Sequence, residues 1–181
     1  VYRVRLESAD SAEPAPGTAA APARPSIAVL PFQDMSAEKD QEYFADGIAE
    51  DIITGLSKHN GFLVIARNSS FTYKGRPVDI KQAGAELGVR YVLEGSVRRG
   101  GDRVRITGQL IDAATGAHVW AERYDRRIDD LFAVQDEITD SIVGVVAPEL
   151  IGAEMRRARR LDPAGMDAWD CVMRAGWHAW R

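Results

Sequence analysis

The sequence is poorest in the residues that carry most protein chemistry. Its 181 residues include one cysteine, Cys171, and three histidines, His59, His118 and His178. A single cysteine excludes an internal disulfide and a zinc site built on several thiolates. It fits a reducing compartment. The histidines are scattered, and none has a metal-type partner three or four residues away, so each reads as structural or surface. Cys171 falls on the apolar face of a helical pattern and reads as a buried, inert thiol. No apolar run approaches the roughly 20 residues of a membrane helix, and no secretory core follows the start. There is no P-loop, no GxGxxG after a strand, no HExxH and no GxSxG. No catalytic residue, metal ligand or cofactor is therefore assigned.

Excess charge of one sign is also missing. Lys and Arg number 23 against 27 Asp and Glu, for a net charge of −4. Nothing in that balance drives the chain toward nucleic acid or a membrane surface. The hydrophobic fraction, 45%, suits a globular protein with one sizeable domain, or one plus a fragment. The chain starts at Val1 and reads as part of a longer protein.

Residues 7–25, "ESADSAEPAPGTAAAPARP", contain only small, Pro and charged residues and read as a flexible linker. The preceding "VYRVRL", residues 1–6, alternates like the end of a strand. The folded part begins at Ser26. "SIAVLPF" and "FLVIA" read as strands buried on both faces. Between them Tyr43, Phe44, Ile48, Ile52 and Leu56 form one helical stripe, with Ile53 beside it and Asn60-Gly61 as its end. Strand, helix and strand in this order predict a right-handed parallel crossover.

"VDIKQAGAELG" predicts a helix closed by Gly88, with Ile80, Ala83, Ala85 and Leu87 as its apolar residues. Then the period changes to two. "RYVLEGSVRR", "DRVRITGQLID" and "AHVWAERYDRR" predict a three-strand meander with turns at Gly100-Gly101-Asp102 and Ala114-Thr115-Gly116. Val104, Ile106, Gly108 and Leu110 face the core, and Arg103, Arg105, Thr107 and Gln109 face water. A long helix follows over 129–160, on the stripe Leu131, Val134, Ile138, Ile142, Val145 and Val146, with a kink or break expected at Pro148. Its basic end, Arg156 to Arg160, suits a helix C-terminus. A last helix carries Trp169, Val172, Met173, Trp177 and Trp180, a face expected to pack on the domain or on a second copy. The fold class is thus α/β: a mixed sheet of about five strands, a βαβ unit plus an antiparallel meander, with flanking helices, a long helix and a terminal helix.

Two places could bind a ligand. "IARNSSFTYKG" ends a strand on a polar cluster, where open α/β sheets bind ligands. There Arg67, Asn68, Ser69, Ser70 and Lys74 could contact an anion, although Asn and Ser equally suit a cap or turn. On the meander Arg98, Arg99, Arg103, Arg105 and Arg123 concentrate positive charge, either as an anion site or as a wet face paired with Glu94, Asp112 and Glu122. The acids Asp34, Glu38, Asp40, Glu42 and Asp46 cluster at the start of the first helix, where the helix dipole is a sufficient explanation and a metal site is the lesser alternative.

Whole phrases carry a family resemblance. "SIAVLPFQDMSAEKDQEYFADGIAEDIITGLS", "VIARNSSFTYKG", "LGVRYVLEGSVRRGGDRVRITGQLIDAATGAHVWAERYDR" and "LFAVQDEITDSIV" resemble the TolB-like domain of bacterial multidomain regulators, over about residues 26–147. In that group the domain often lies between a class III adenylate/guanylate cyclase domain and tetratricopeptide repeats. Other members carry a winged-helix DNA-binding domain. The resemblance implies that residues 1–6 end an upstream cyclase domain and that 148–181 open a helical repeat region. It implies a non-catalytic regulatory or interaction domain in the cytoplasm, with the cyclase domain as its partner in cis and protein partners through the C-terminal helices. A homodimer is a further expectation; membrane and nucleic acid are not. A small-ligand or nucleotide sensor is the alternative, and a cell-envelope interaction protein is the third reading.

Overall fold

The structure is a computed structural model and describes residues 24–38 and 40–179. The strand end at 1–6, the linker up to residue 23 and Trp180 lie outside the described residues.

Strand β1, Ser26–Val29, is buried along its whole length. It is short, apolar and central, and its side chains alternate between two cores. Ile27 and Val29 join the larger one, and Ala28 and the following Leu30 join the smaller. A two-residue strand β2, Gln33–Asp34, precedes helix α1, Glu42–Ser57. Strand β3, Leu63–Val64, leads into a single helical turn, α2, Arg67–Ser70, and then a 3-10 turn at Phe71–Tyr73. Helix α3, Ile80–Leu87, precedes the meander strands β4, Tyr91–Gly100, β5, Arg103–Asp112, and β6, His118–Arg127. Helix α4, Leu131–Arg160, and helix α5, Ala168–Ala179, complete the chain.

The sheet order is β3-β1-β4-β5-β6, with β2 also paired to β4. β1 lies parallel to both β3 and β4, and β4, β5 and β6 are antiparallel. The expected mixed α/β sheet is therefore present, with β2 as an added sixth strand. α1 and α4 cover one face. α3 covers part of the other through Ile80 and Leu87, while the meander's outer face there stays open.

Local chemistry explains the helix ends. Asp79 caps α3 by accepting from Gln82 N at 3.0 Å, and Gly88 ends it in the left-handed conformation at φ 64°. Asp130 caps α4, accepting from Phe132 N and Ala133 N at 2.9 and 3.2 Å. Small residues let elements approach closely. A Cβ on Gly55 would sit 2.8 Å from Val143 on α4, and one on Gly95 would sit 2.4 Å from the Phe32 ring.

Several expectations need correction. Tyr43 is not on the buried stripe of α1 but 79% exposed. The stripe of Phe44, Ile48, Ile52 and Leu56 widens toward Ala45, Ala49 and Ile53, which turns Tyr43 to water. α1 ends at Ser57, before Asn60-Gly61. "FLVIA" is not buried on both faces: β3 is a two-residue strand at the edge of the sheet, with no strand paired beyond it among the described residues, and Leu63 is 47% exposed. Ala85 points to water. α4 passes through Pro148 without a break. The carbonyl that proline leaves without a donor belongs to Gly144, an exposed residue with open space around it. Cys171 is exposed, on the side of α5 away from buried Met173.

Candidate functional site

The connection after β3 places the first set of candidate residues. Arg67 stacks on the Phe71 ring at 4.0 Å, and its Nε lies 3.0 Å from Glu50 on α1. Asn68 and Ser69 are exposed, whereas Ser70 is fully buried. Phe71 packs against the larger core and Tyr73 against the smaller. Lys74 reaches back to α1, with Nζ 2.5 Å from Asp46 and 2.6 Å from Glu42. Its pKa is raised by the Asp46 hydrogen bond first and the Glu42 bond second. Arg67, Asn68, Ser69 and Ser70 therefore do not converge on one point. They form a structured βα connection whose cations are held by α1 carboxylates.

What the connection does build is one wall of a crevice. α1 leaves β1 over one face of the sheet, and α3 returns to β4 over the other. At the carboxyl end of β1 the two crossovers diverge, which in open α/β sheets is where a ligand crevice forms. Here it has a volume of about 650 Å³, between Leu30–Asp34 on one side and Tyr73–Val78 on the other. Asp34 and Glu42 line the first wall, and Lys74 and Arg76 the second. Asp34 also fixes its own loop, accepting from Ser36 N at 2.8 Å and Gln41 N at 2.7 Å. Tyr73 donates to Glu86 at 2.5 Å, a bond that raises the phenol pKa. No group of three acids among the described residues is placed to share a metal ion. Of the candidate residues read from the sequence, Lys74 alone lines this crevice. Gln33, Arg76 and Pro77 were missed, because only the divergence of the crossovers brings them together.

The second candidate set does come together. Arg98, Arg99, Arg103 and Arg105 line a shallow hollow of about 240 Å³ beside the β4–β5 turn. Their acid partners differ from those expected. Asp125 accepts from Arg105 at 2.6 and 3.3 Å and lies 3.5 Å from Arg123. The hydrogen bond from Arg105 holds the Asp125 carboxyl below its usual range. Glu122 instead accepts from Tyr124 at 3.0 Å, a phenol that burial pushes up to about 12. Asp112 holds its turn, accepting from Ala114 N and Thr115 N. Glu94 is half-buried, and desolvation raises its pKa.

A third cluster escaped the sequence reading. Glu154, fully buried on α4, accepts from Arg90 at 2.5 Å, Tyr91 at 2.7 Å and Arg157 at 3.2 Å. Arg157 also bonds Asp170 on α5. Burial works against the Arg157 charge, but Glu154 and Asp170 outweigh it and raise its pKa. Arg174 donates to Ala158 O and Arg159 O at the end of α4, both at 3.2 Å. These bonds join sheet, long helix and last helix. α5 thus packs on α4 through Met173 and Trp177, the latter under Arg159 at 5.4 Å, whereas Val172, expected on the same face, is 58% exposed.

Comparison with known proteins adds relatives to this geometry. A protein of Rhizobium meliloti (strain 1021) named "Putative adenylate cyclase 3" is 55% identical over 165 residues, which cover 91% of this chain. The chain spans 28% of that relative's length. Among solved structures, lipoprotein GNA1162 from Neisseria meningitidis superposes with a TM-score of 0.52 at 18% identity. That match covers 68% of this chain and 99% of the lipoprotein, a likeness of fold. TolB from Acinetobacter baumannii superposes at 0.45 with 18% identity, over 66% of this chain and 27% of TolB. The model of the HilA/YgeH-like transcriptional regulator, second domain, matches residues 23–141, and the chain belongs to that family.

Proposed function

We propose that this chain is a non-catalytic, TolB-like regulatory domain of a cyclase-type signalling protein in the cytoplasm. The observation that carries the reading is the 55% identity, across 91% of the chain, to a piece of the Rhizobium relative. The regulator family supports the same role. The fold supplies a route for regulation. α4 packs along α1 and β6 at one end and holds α5 through Glu154, Arg157 and Asp170 at the other. A change in the α/β core would thus reach whatever follows α5, and an upstream cyclase domain would be its partner in cis. The test is cyclic-AMP formation from ATP by the full-length protein, by the same protein lacking residues 26–147, and by this chain alone. The reading expects cyclase activity in the first, altered activity in the second and none in the third. Activity from the isolated chain, or full-length activity indifferent to the deletion, would overturn it.

A small-ligand sensor is the second reading, favoured by the crevice of about 650 Å³ at the diverging crossovers. Four charges of balanced sign, Asp34, Glu42, Lys74 and Arg76, line it. A thermal-shift screen of small polar metabolites against wild type and Arg76→Gln tests it. A shift lost in the variant supports the sensor, and no shift with any compound refutes it.

A further inference from the structure

The open face of the meander holds like charges in direct opposition. Arg98 stands across from Arg105 in the β4–β5 ladder, and Arg103 stands across from Arg127 in the β5–β6 ladder. Like charges directly opposite destabilise a sheet. Acid partners relieve only part of this. Asp125 pairs with Arg105 and Arg123 and also feels the charge of Arg103, and Asp102 lies 3.5 Å from Arg127. Arg99 has Asp40 only at 3.9 Å. Among the described residues, Arg98 and Arg103 have no ion pair within 4.0 Å. Two guanidinium groups without a close ion pair among the described residues thus share one hollow with the Asp125-bound Arg105.

We propose that this hollow binds the terminal phosphate of a small phosphomonoester or pyrophosphate. A guanidinium presents parallel N–H donors that match phosphate oxygens two at a time. Two such groups beside each other balance a dianion, where a single carboxylate would leave one unpaired. The volume, about 240 Å³, accommodates a phosphoryl group and its neighbour and leaves the rest of the ligand outside. Recognition therefore reads the phosphate end and tolerates different organic groups. Bound phosphate would also relieve the Arg98–Arg105 and Arg103–Arg127 repulsion, so binding should stabilise the fold. The site is separate from the crevice beneath Arg76, and it does not depend on a cyclase parent.

The experiment is calorimetric titration of the whole chain with pyrophosphate, inorganic phosphate and adenosine monophosphate at low ionic strength, beside acetate and a short DNA duplex. The expected result is saturable, one-site binding of pyrophosphate and of the monophosphate, with acetate silent. Arg98→Gln with Arg103→Gln should weaken it by about tenfold or more, the loss of one or two charge-assisted bonds. Arg76→Gln, equal in charge change per residue but in the other hollow, should leave it intact. The double variant without ligand should unfold at the wild-type temperature or slightly above, since it removes repulsion. Three results would overturn the proposal: no saturable binding up to about 10 mM, binding unchanged in the double variant, or binding of the duplex alone.

Discussion

The Tyr91 hydroxyl donates to the Glu154 carboxylate at 2.7 Å, joining a central strand to the long helix across 63 residues of sequence. Glu154 has no exposed surface, and Arg90 and Arg157 complete its shell. The burial and the Glu154 charge raise the tyrosine pKa, so the phenol stays a donor. Removing the carboxylate would strand two cations around a cavity. Glu154→Ala should cost about 3 kcal/mol, the lower end for breaking a buried pair because both arginines reach water. Tyr91→Phe should cost about 2 kcal/mol, since the lost bond goes to a buried charge. Urea unfolding measures both. Hydrogen exchange supplies the mechanistic readout: amides of α5 should exchange faster in Glu154→Ala, because Arg157 then loses the anchor that positions it against Asp170. Unchanged α5 protection would show that the node does not tie the last helix to the sheet.

Gly95 gives a packing test. A Cβ there would lie 2.4 Å from the Phe32 ring and 2.5 Å from Thr107 O. The second neighbour is backbone inside the β4–β5 ladder and cannot swing away. Gly95→Ala should therefore destabilise by roughly 3 kcal/mol, seen as a lower urea midpoint. Phe32→Leu should recover part of the loss if the ring is the main obstacle. No recovery would assign the clash to the carbonyl.

Much of this architecture was legible because it follows from local pattern. The run at Ser26, the stripe through Phe44 and Leu56 and the period-two strands after Tyr91 each state their burial in their own spacing. Gly88 and Asp79 mark the ends of α3 in the same local way. The misses share a different cause. Whether β3 is an edge and whether Tyr43 has a neighbour depend on strands and helices distant in sequence. The arginine set was found because it lies on two adjacent strands of one hairpin. The crevice was only partly found, since Lys74 is on one wall and Asp34 on another. Glu154 sat among basic residues that a helix terminus already explained.

Glu94 provides a pH test. Desolvation raises its folded-state pKa above the unfolded value, and His118 only partly offsets that. The folded state therefore prefers the protonated acid. Its ionised form costs stability above the folded pKa, and that cost disappears below the unfolded value. Glu94→Gln should raise the melting temperature by a few degrees at most at pH 7. The gain should shrink as pH falls and vanish about a unit below the pKa of an unperturbed glutamate, near pH 3. A gain of equal size at pH 7 and near pH 3 would assign the effect to packing against Gln109, its cross-strand neighbour.

Cys171 separates the sequence reading from the structure most sharply. Its helical pattern predicts a buried thiol, yet it is exposed, while Met173 on the same helix is buried at 7%. The two residues differ by about 200° around the helix, so docking through Met173 turns Cys171 outward. An exposed thiol needs no unfolding to react. Ellman's reagent should therefore modify one thiol per chain promptly in native buffer, at a rate little changed by urea below the unfolding transition. Cys171→Ser should abolish the reaction and leave the melting temperature within about 1 °C. A thiol that reacts only on unfolding would mean that α5 docks with its opposite face, and the Arg157–Asp170 tie would then have to be abandoned with it.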